Sequence, residues 1–344
     1  MGSPLIGKYM NYNFNSGYGQ MLAVQIAAAV GPVMGRILVV QEDSDPATNQ
    51  EQIQQLFRPD PSGKVRFYRT LDAAYAAATS NANDVILMSA HTSHTITPIA
   101  WTKNRIHVIG MDGGDRLVQQ GTKIQNSASD TAAYVIKVTG VRNSFRNLKF
   151  IQNSTNAAAL TVLQEGGEGN LYKNCSFVFG VADNLGGTTA HEVLAGSDSA
   201  TYLNCTFGSD TLLTSAARSV FHIDQVTSGQ EFKSNILRGC NFIISSSSST
   251  ATFVRLDAVG DILFSNIFDR CNFVASVDSA GGAAIAEASQ TGTGTVKGTL
   301  NYMYPATAGV TDFSTATSGR NANTFVLAPS PTAGTAGLGI APTA

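Results

Sequence analysis

Four residues mark the clearest place where this chain could do chemistry. His222 and Asp224 flank Ile223, and Arg255 and Asp257 flank Leu256. Members of each pair are two residues apart, so in an extended strand they project from one side. If the two segments are neighbouring strands in register, His222 faces Arg255 and Asp224 faces Asp257. Carboxylates one strand apart would approach the separation of about 5–5.5 Å used by retaining glycosidases, and an adjacent His or Arg would tune their protonation. The pattern is that of a candidate acid pair for cleaving a polysaccharide. Against it, outward strand residues are polar in any case and Asp often ends a strand. Leu194 and Ala286 fall near the same column, so the charge does not extend into a cleft, and the single tryptophan, Trp101, is far away in sequence.

Other motifs carry less. His91 and His94 are separated by two residues, a spacing that puts the rings on opposite sides of a strand, and the next acidic residue is Asp112. Hydrogen bonding at a corner explains them better than metal ligation. Asp112-Gly113-Gly114-Asp115 is a fragment of a calcium turn without the repeated nonapeptides that such turns need. Gly166-Gly167-Glu168-Gly169 and Gly186-Gly187 lack the Lys-Ser/Thr and the strand-to-helix context of a phosphate loop and read as turns. The serine run Ser245–Ser249 reads as a loop. No cofactor and no metal are expected.

The elements that must position these residues are written in a repeat. Asn174-Cys175-Ser176-Phe177, Asn204-Cys205-Thr206-Phe207, Gly239-Cys240-Asn241-Phe242 and Arg270-Cys271-Asn272-Phe273 share one pattern, and Asn147-Leu148-Lys149-Phe150 is an earlier copy with Leu in the cysteine slot. The cysteines recur at steps of 30, 35 and 31 residues, a period that belongs to solenoids. Each copy alternates in the manner of a half-buried strand. A second strand follows at His191–Ala195, Ser219–Val226, Thr252–Val259 and Ala283–Ala288, with Gly196, Gly229 and Gly260 punctuating the return. No helical stretch separates the copies, so the fold class is all-β: a right-handed parallel β-helix. Residues one period apart then stack at about 4.8 Å. Leu148, Cys175, Cys205, Cys240 and Cys271 form one internal ladder, and Phe150, Phe177, Phe207, Phe242 and Phe273 another. Stacked cysteines fall inside the distance range of a disulfide, but four in one slot read more simply as a file of small hydrophobes. Reduced, buried thiols are expected, which suits a reducing cytoplasm.

Charged residues make up 13% of the 344 residues, against about 25% in ordinary globular proteins. Such a surface suits stacked coils partly covered by partners. The net charge of −2 gives no overall electrostatic footprint for nucleic acid. Met1–Gln20 is polar, and Met21–Val30 is apolar but interrupted by Gln25 and ended by Gly31-Pro32, too short to span a membrane.

The chain divides into an N-terminal attachment region (1–64), a β-helix (65–304) and an Ala/Gly/Thr/Pro-rich arm (305–344). Within 1–64, Ile37–Val40 reads as a strand, and the stretch from Asp45-Pro46 to Phe57 as a short helix. Val65–Tyr68 reads as a strand, residues 70–79 as a helix capped by Thr70 with Leu71, Ala74, Tyr75 and Ala78 on one face, and Asp84–Met88 as the first coil strand. An amphipathic helix is a ready plug for the open end of a solenoid.

Val65–Met88, followed by His91-Thr92-Ser93-His94-Thr95-Ile96 and Asn104–Gly110, resembles the opening of a pectin-lyase-like β-helix. More narrowly it resembles the version found in tailed-bacteriophage structural proteins encoded among the head genes. The resemblance covers residues 65–110. It implies a non-enzymatic virion protein, assembled in the host cytoplasm: a capsid decoration or cement protein bound to the major capsid protein, packed side by side as a homotrimer. Attachment is then expected through 1–64 and 305–344. The alternative is a tailspike-like polysaccharide depolymerase using Asp224 and Asp257 with His222 and Arg255, or a spike that binds a host glycan without cleaving it. Neither nucleic acid nor membrane is an expected partner.

Overall fold

The computed structural model describes residues 35–41, 67–89, 93–111, 121–181, 190–213, 218–228, 230–246, 251–256, 262–263 and 265–275, and the backbone of strands Ala283–Glu287, Thr295–Thr299, Asn301–Tyr304, Asp312–Ser314 and Val326–Leu327. The chain winds as a right-handed parallel β-helix. Successive coils each give one strand to three long sheets of 10, 9 and 8 strands, and neighbouring strands run parallel, as in Lys149–Gln152 beside Ser176–Phe179. One helix, Leu71–Ala77, is present among the described residues. No helix there is long and apolar enough to cross a membrane.

The repeated motif is the corner between the first and second sheets. Its leading residue takes a left-handed conformation, with φ of 56° at Asn147, 53° at Asn174, 52° at Asn204, 63° at Gly239 and 53° at Arg270. Asparagine tolerates this region better than most residues because its short amide bonds locally. Asn174 donates to the Asn147 side chain at 3.2 Å. Gly239 interrupts that file with a residue that takes the left-handed conformation at no steric cost.

The next residue turns inward. Ser176 N donates to Leu148 O, Thr206 N to Cys175 O, Asn241 N to Cys205 O and Asn272 N to Cys240 O, so the five occupants of the slot stand in one column. The four thiols form no disulfide and are buried. Each Sγ donates to a carbonyl of the coil before: Cys175 to Phe145 O at 3.4 Å, Cys205 to Tyr172 O at 3.5 Å, Cys240 to Tyr202 O at 3.4 Å and Cys271 to Leu237 O at 3.4 Å. Burial pushes the Cys205 and Cys271 thiols up, away from the reactive thiolate.

Two residues further on, Phe150, Phe177, Phe207, Phe242 and Phe273 pair in register, with ring centroids 5.3, 5.7, 5.0 and 4.7 Å apart along the file. A second file from the first sheet, Phe145–Tyr172–Tyr202, stacks at 5.2 and 5.0 Å. Leu237 and Phe268 continue it by register. A third ladder is polar. The side chains of Asn143, Asn170, Asn235 and Asn266 accept the backbone N–H of Ile106, Asn143, Ala200 and Asn235 at 2.9, 2.7, 2.7 and 2.9 Å, satisfying donors that a corner would otherwise bury unpaired.

The helix caps the first coils. Thr70 accepts from Ala73 N at 3.3 Å, Leu71 and Ala74 are buried, and the Tyr75 ring stacks on Trp101 at 4.1 Å. Lys103 Nζ donates to the carbonyls of Tyr75, Ala76 and Ala78, supplying from a neighbouring coil the cation that a helix C-terminus favours. Strand Ile37–Val40 lies between Phe67–Tyr68 and Val85–Met88, so the first sheet begins inside the segment assigned above to an N-terminal region. At the other end Asp312–Ser314 and Val326–Leu327 extend the third and second sheets into the C-terminal arm. The apolar stretch Met21–Val30 and the helix expected before Phe57 lie outside the described residues.

Two outcomes follow from the packed files. In native protein the four thiols are expected to resist a thiol reagent such as DTNB, and all four should react in guanidinium; fast labelling of native protein would contradict the buried column. Phe207→Ala is expected to cost about 3–5 kcal/mol, read from chemical denaturation.

Candidate functional site

The third sheet departs from simple alternation, and the candidate site follows from that. Val162 and Leu163, Val220 and Phe221, and Phe253 and Val254 are consecutive pairs whose members all belong to the core. Each pair is flanked by residues three apart: Thr161 with Gln164, Ser219 with His222, Thr252 with Arg255. By register the coil between adds His191 and Leu194.

The expected column is present. Gln164, Leu194, His222, Arg255 and Ala286 are successive Cα partners, so His222 does lie over Arg255, bracketed by Leu194 and Ala286. The acids fare differently. The strand written as Ser219–Val226 ends at Ile223, and the chain turns at Asp224. Asp224 is half-buried, and its Oδ1 accepts from the N–H of Gln225 at 2.6 Å. The turn lies against Gly196, where a Cβ would come within 2.5 Å of Asp224 O. Asp257 lies outside the described residues, so the carboxylate pair has one described member.

The structure adds partners that the sequence did not single out. His191 Nδ1 lies 2.9 Å from Ser219 Oγ and 3.1 Å from Ser219 O. The His191 and His222 rings are 4.2 Å apart at 55°. Burial, followed by the neighbouring His222, takes the His191 imidazole down to about 2, so it is neutral at any ordinary pH. A serine against an imidazole is the beginning of a nucleophile and its base. Here, however, Ser219 is 0% exposed, His191 3% and His222 7%, and the three tie adjacent coils together.

Two acids of the same strands point into the solenoid. Glu192 forms a buried ion pair with Arg218, whose guanidinium lies 5.7 Å from the Phe179 ring. Burial pushes the Glu192 carboxyl up, against the pull of Arg218. Glu165 is 0% exposed. Its Oε1 accepts from Gly167 N at 2.7 Å and Asn170 Nδ2 at 2.9 Å, and its Oε2 takes the Tyr172 hydroxyl. Burial raises it from 4.5 to about 7, the three donors notwithstanding. The only sequence signal for either was a lone carboxylate in a strand.

The remaining motifs resolve simply. His94 points inward, is buried, and places Nε2 3.1 Å from Ser89 O, so it serves the interior and not an outer corner. His91, Asp112–Asp115, Gly186-Gly187 and residues 247–249 of the serine run lie outside the described residues. Gly166–Gly169 is the turn between the third and first sheets, with Gly169 at a φ of 64°. No cluster of three or more His, Cys, Asp or Glu able to hold a metal occurs among the described residues.

Glu165 carries a pH dependence of known sign. Its folded value lies above its unfolded one, so its neutral form stabilises the native state, fully below pH 4.5, and that contribution is lost as pH rises through 7. The loss amounts to about 3 kcal/mol. Wild type minus Glu165→Gln, each unfolded with urea at pH 5 and pH 8, is expected to recover this difference; parallel curves for the two proteins would refute it.

No protein-family model matches the chain, and no curated protein matches it. Solved structures do. Pectin methylesterase from carrot superposes with a TM-score of 0.51 at 13% identity, covering 86% of this chain and 81% of that one. The Aspergillus niger pectin methylesterase gives 0.48 at 11% identity over 85% and 83%. PemA from Erwinia chrysanthemi gives 0.48 at 12% over 80% of each. At 13% identity the likeness to the carrot enzyme is one of architecture alone, the right-handed parallel β-helix described above.

Proposed function

We propose that the protein is a non-enzymatic structural component of a tailed-phage virion, a decoration or cement protein seated on the major capsid protein and assembled with copies of itself as a trimer. The observation that carries this reading is where the reactive side chains go. His94, His107, His191 and His222 are all buried, and Glu165 and Glu192 face the interior. They brace the stack instead of meeting a substrate. The outer face of the first sheet supports the reading too: Leu171, Leu203, Ile236 and Ile267 occupy outward positions and are half-buried. The low charge and the resemblance of residues 65–110 to head-gene products point the same way. Quantitative mass spectrometry of particles tests it: hundreds of copies are expected, whereas about eighteen or fewer would place the chain in a tail appendage.

A second reading, a polysaccharide depolymerase, draws on His222 lying over Arg255 beside half-buried Asp224. Incubation with host capsule or exopolysaccharide is expected to release no new reducing ends. Release that disappears in Asp224→Asn would establish the enzyme instead.

A further inference from the structure

Tyr172 and Tyr202 are neighbours in the interior file of the first sheet, yet their coils treat the two hydroxyls differently. The Tyr172 hydroxyl meets Glu165 Oε2. Tyr202 repeats Tyr172 one coil on, its ring 5.0 Å away and tilted by 11°. The column that supplies Glu165 to the first coil supplies Ala195 to the second. The column that supplies Asn170 supplies Ala200. The carboxylate and the amide that meet beside Tyr172 are thus each reduced to a methyl group beside Tyr202.

Tyr202 is 0% exposed, and its hydroxyl has no hydrogen-bond partner among the described residues. Ser197 approaches it without bonding geometry: burial raises the Tyr202 hydroxyl well above its ordinary value, and Ser197 offsets a little of that. Buried polar groups are almost always satisfied, because an orphaned one carries its full desolvation cost. Ser197 is also 0% exposed, and it donates to Asn235 Oδ1 at 3.2 Å, so its oxygen can still accept. Stacked in register, the two tyrosine hydroxyls stand about 5 Å apart. That is too far for a direct bond, and it is the span of two hydrogen bonds of about 2.8 Å meeting at one bent oxygen.

We infer that one water is bound inside the solenoid between the hydroxyls of Tyr172, Tyr202 and Ser197, in the space that Ala195 leaves where Glu165 stands one coil earlier. Three partners are the usual number for a buried water. The direction of the bonds agrees. Glu165 Oε1 already accepts from Gly167 N and Asn170 Nδ2, so below pH 7 the proton of the acid sits on Oε2 and is donated to Tyr172. The hydrogen of Tyr172 then needs an acceptor of its own, which the water supplies. With Glu165 neutral, a cation in the same place would stand uncompensated in an apolar interior. The inference concerns the interior and does not rest on the particle role.

Tyr202→Phe in the full chain at pH 6 tests it. Phe fits this file, since Phe145 and Phe268 occupy it in other coils. The variant is expected to raise the urea unfolding equilibrium constant about tenfold, and magnetic relaxation dispersion of the water oxygen should count one long-lived water fewer than in wild type. Unchanged or increased stability overturns the inference, because deleting an orphaned hydroxyl is neutral or favourable. So does lower stability with the water count unchanged, which would mean that Ser197 alone satisfies Tyr202. Ala195→Val, which fills the space with methyl groups, should also remove one long-lived water; a full count in the folded variant overturns the inference as well.

Discussion

Each coil must return to the height of the one before it, and the left-handed residue at the first corner is where the chain meets that constraint. A positive φ there turns the strand without consuming length, so the following residue always drops into the same interior slot. The rest is registration. Once Asn174 and Asn204 are superposed, the thiols superpose, the phenylalanines stack two residues later, and the backbone N–H of each strand finds the carbonyl of its predecessor. A solenoid of this kind gains its stability from nearest-neighbour coil contacts, so one well-placed corner is multiplied along the axis.

The same registration explains why so many polar side chains of the stack are buried. Polar side chains in the stack are used to hold coils together. Asparagine amides satisfy corner N–H groups, Ser219 bonds His191 on the coil before, and Tyr172 and Asn170 converge on Glu165. Such buried networks cost desolvation, and a partly satisfied one penalises any other register heavily. Glu192 with Arg218 fits that role. A slipped coil would leave each charge alone in an apolar interior, which costs far more than the pair contributes.

The proposed structural role rests on the outside of this molecule. The first sheet presents aliphatic side chains outward at Leu171, Leu203, Ile236 and Ile267. These are features of surfaces that meet other molecules. They fit the proposed role of a structural component.

Much of this was legible in the residues. The thirty-residue recurrence of cysteine with phenylalanine two positions on gave the coil, both interior files and the register of His222 over Arg255. The capping helix was visible in Thr70 and the Leu71–Ala74–Tyr75 face. Simple alternation failed on the third sheet, where two consecutive side chains enter the core, so His191, Ser219, Glu192 and Arg218 were passed over. The Asp224–Asp257 pairing assumed a strand that runs on to Val226. In the fold the chain turns at Asp224, because Gly196 leaves room for its backbone to lie close.

By itself the sequence determined the architecture, since a period repeated several times admits one way of burying the same side chains. Only the tertiary structure decided which polar residues face in and which meet across coils. Those outcomes depend on turns of single strands, which leave no periodic trace, and on neighbours thirty residues away that no local pattern can name.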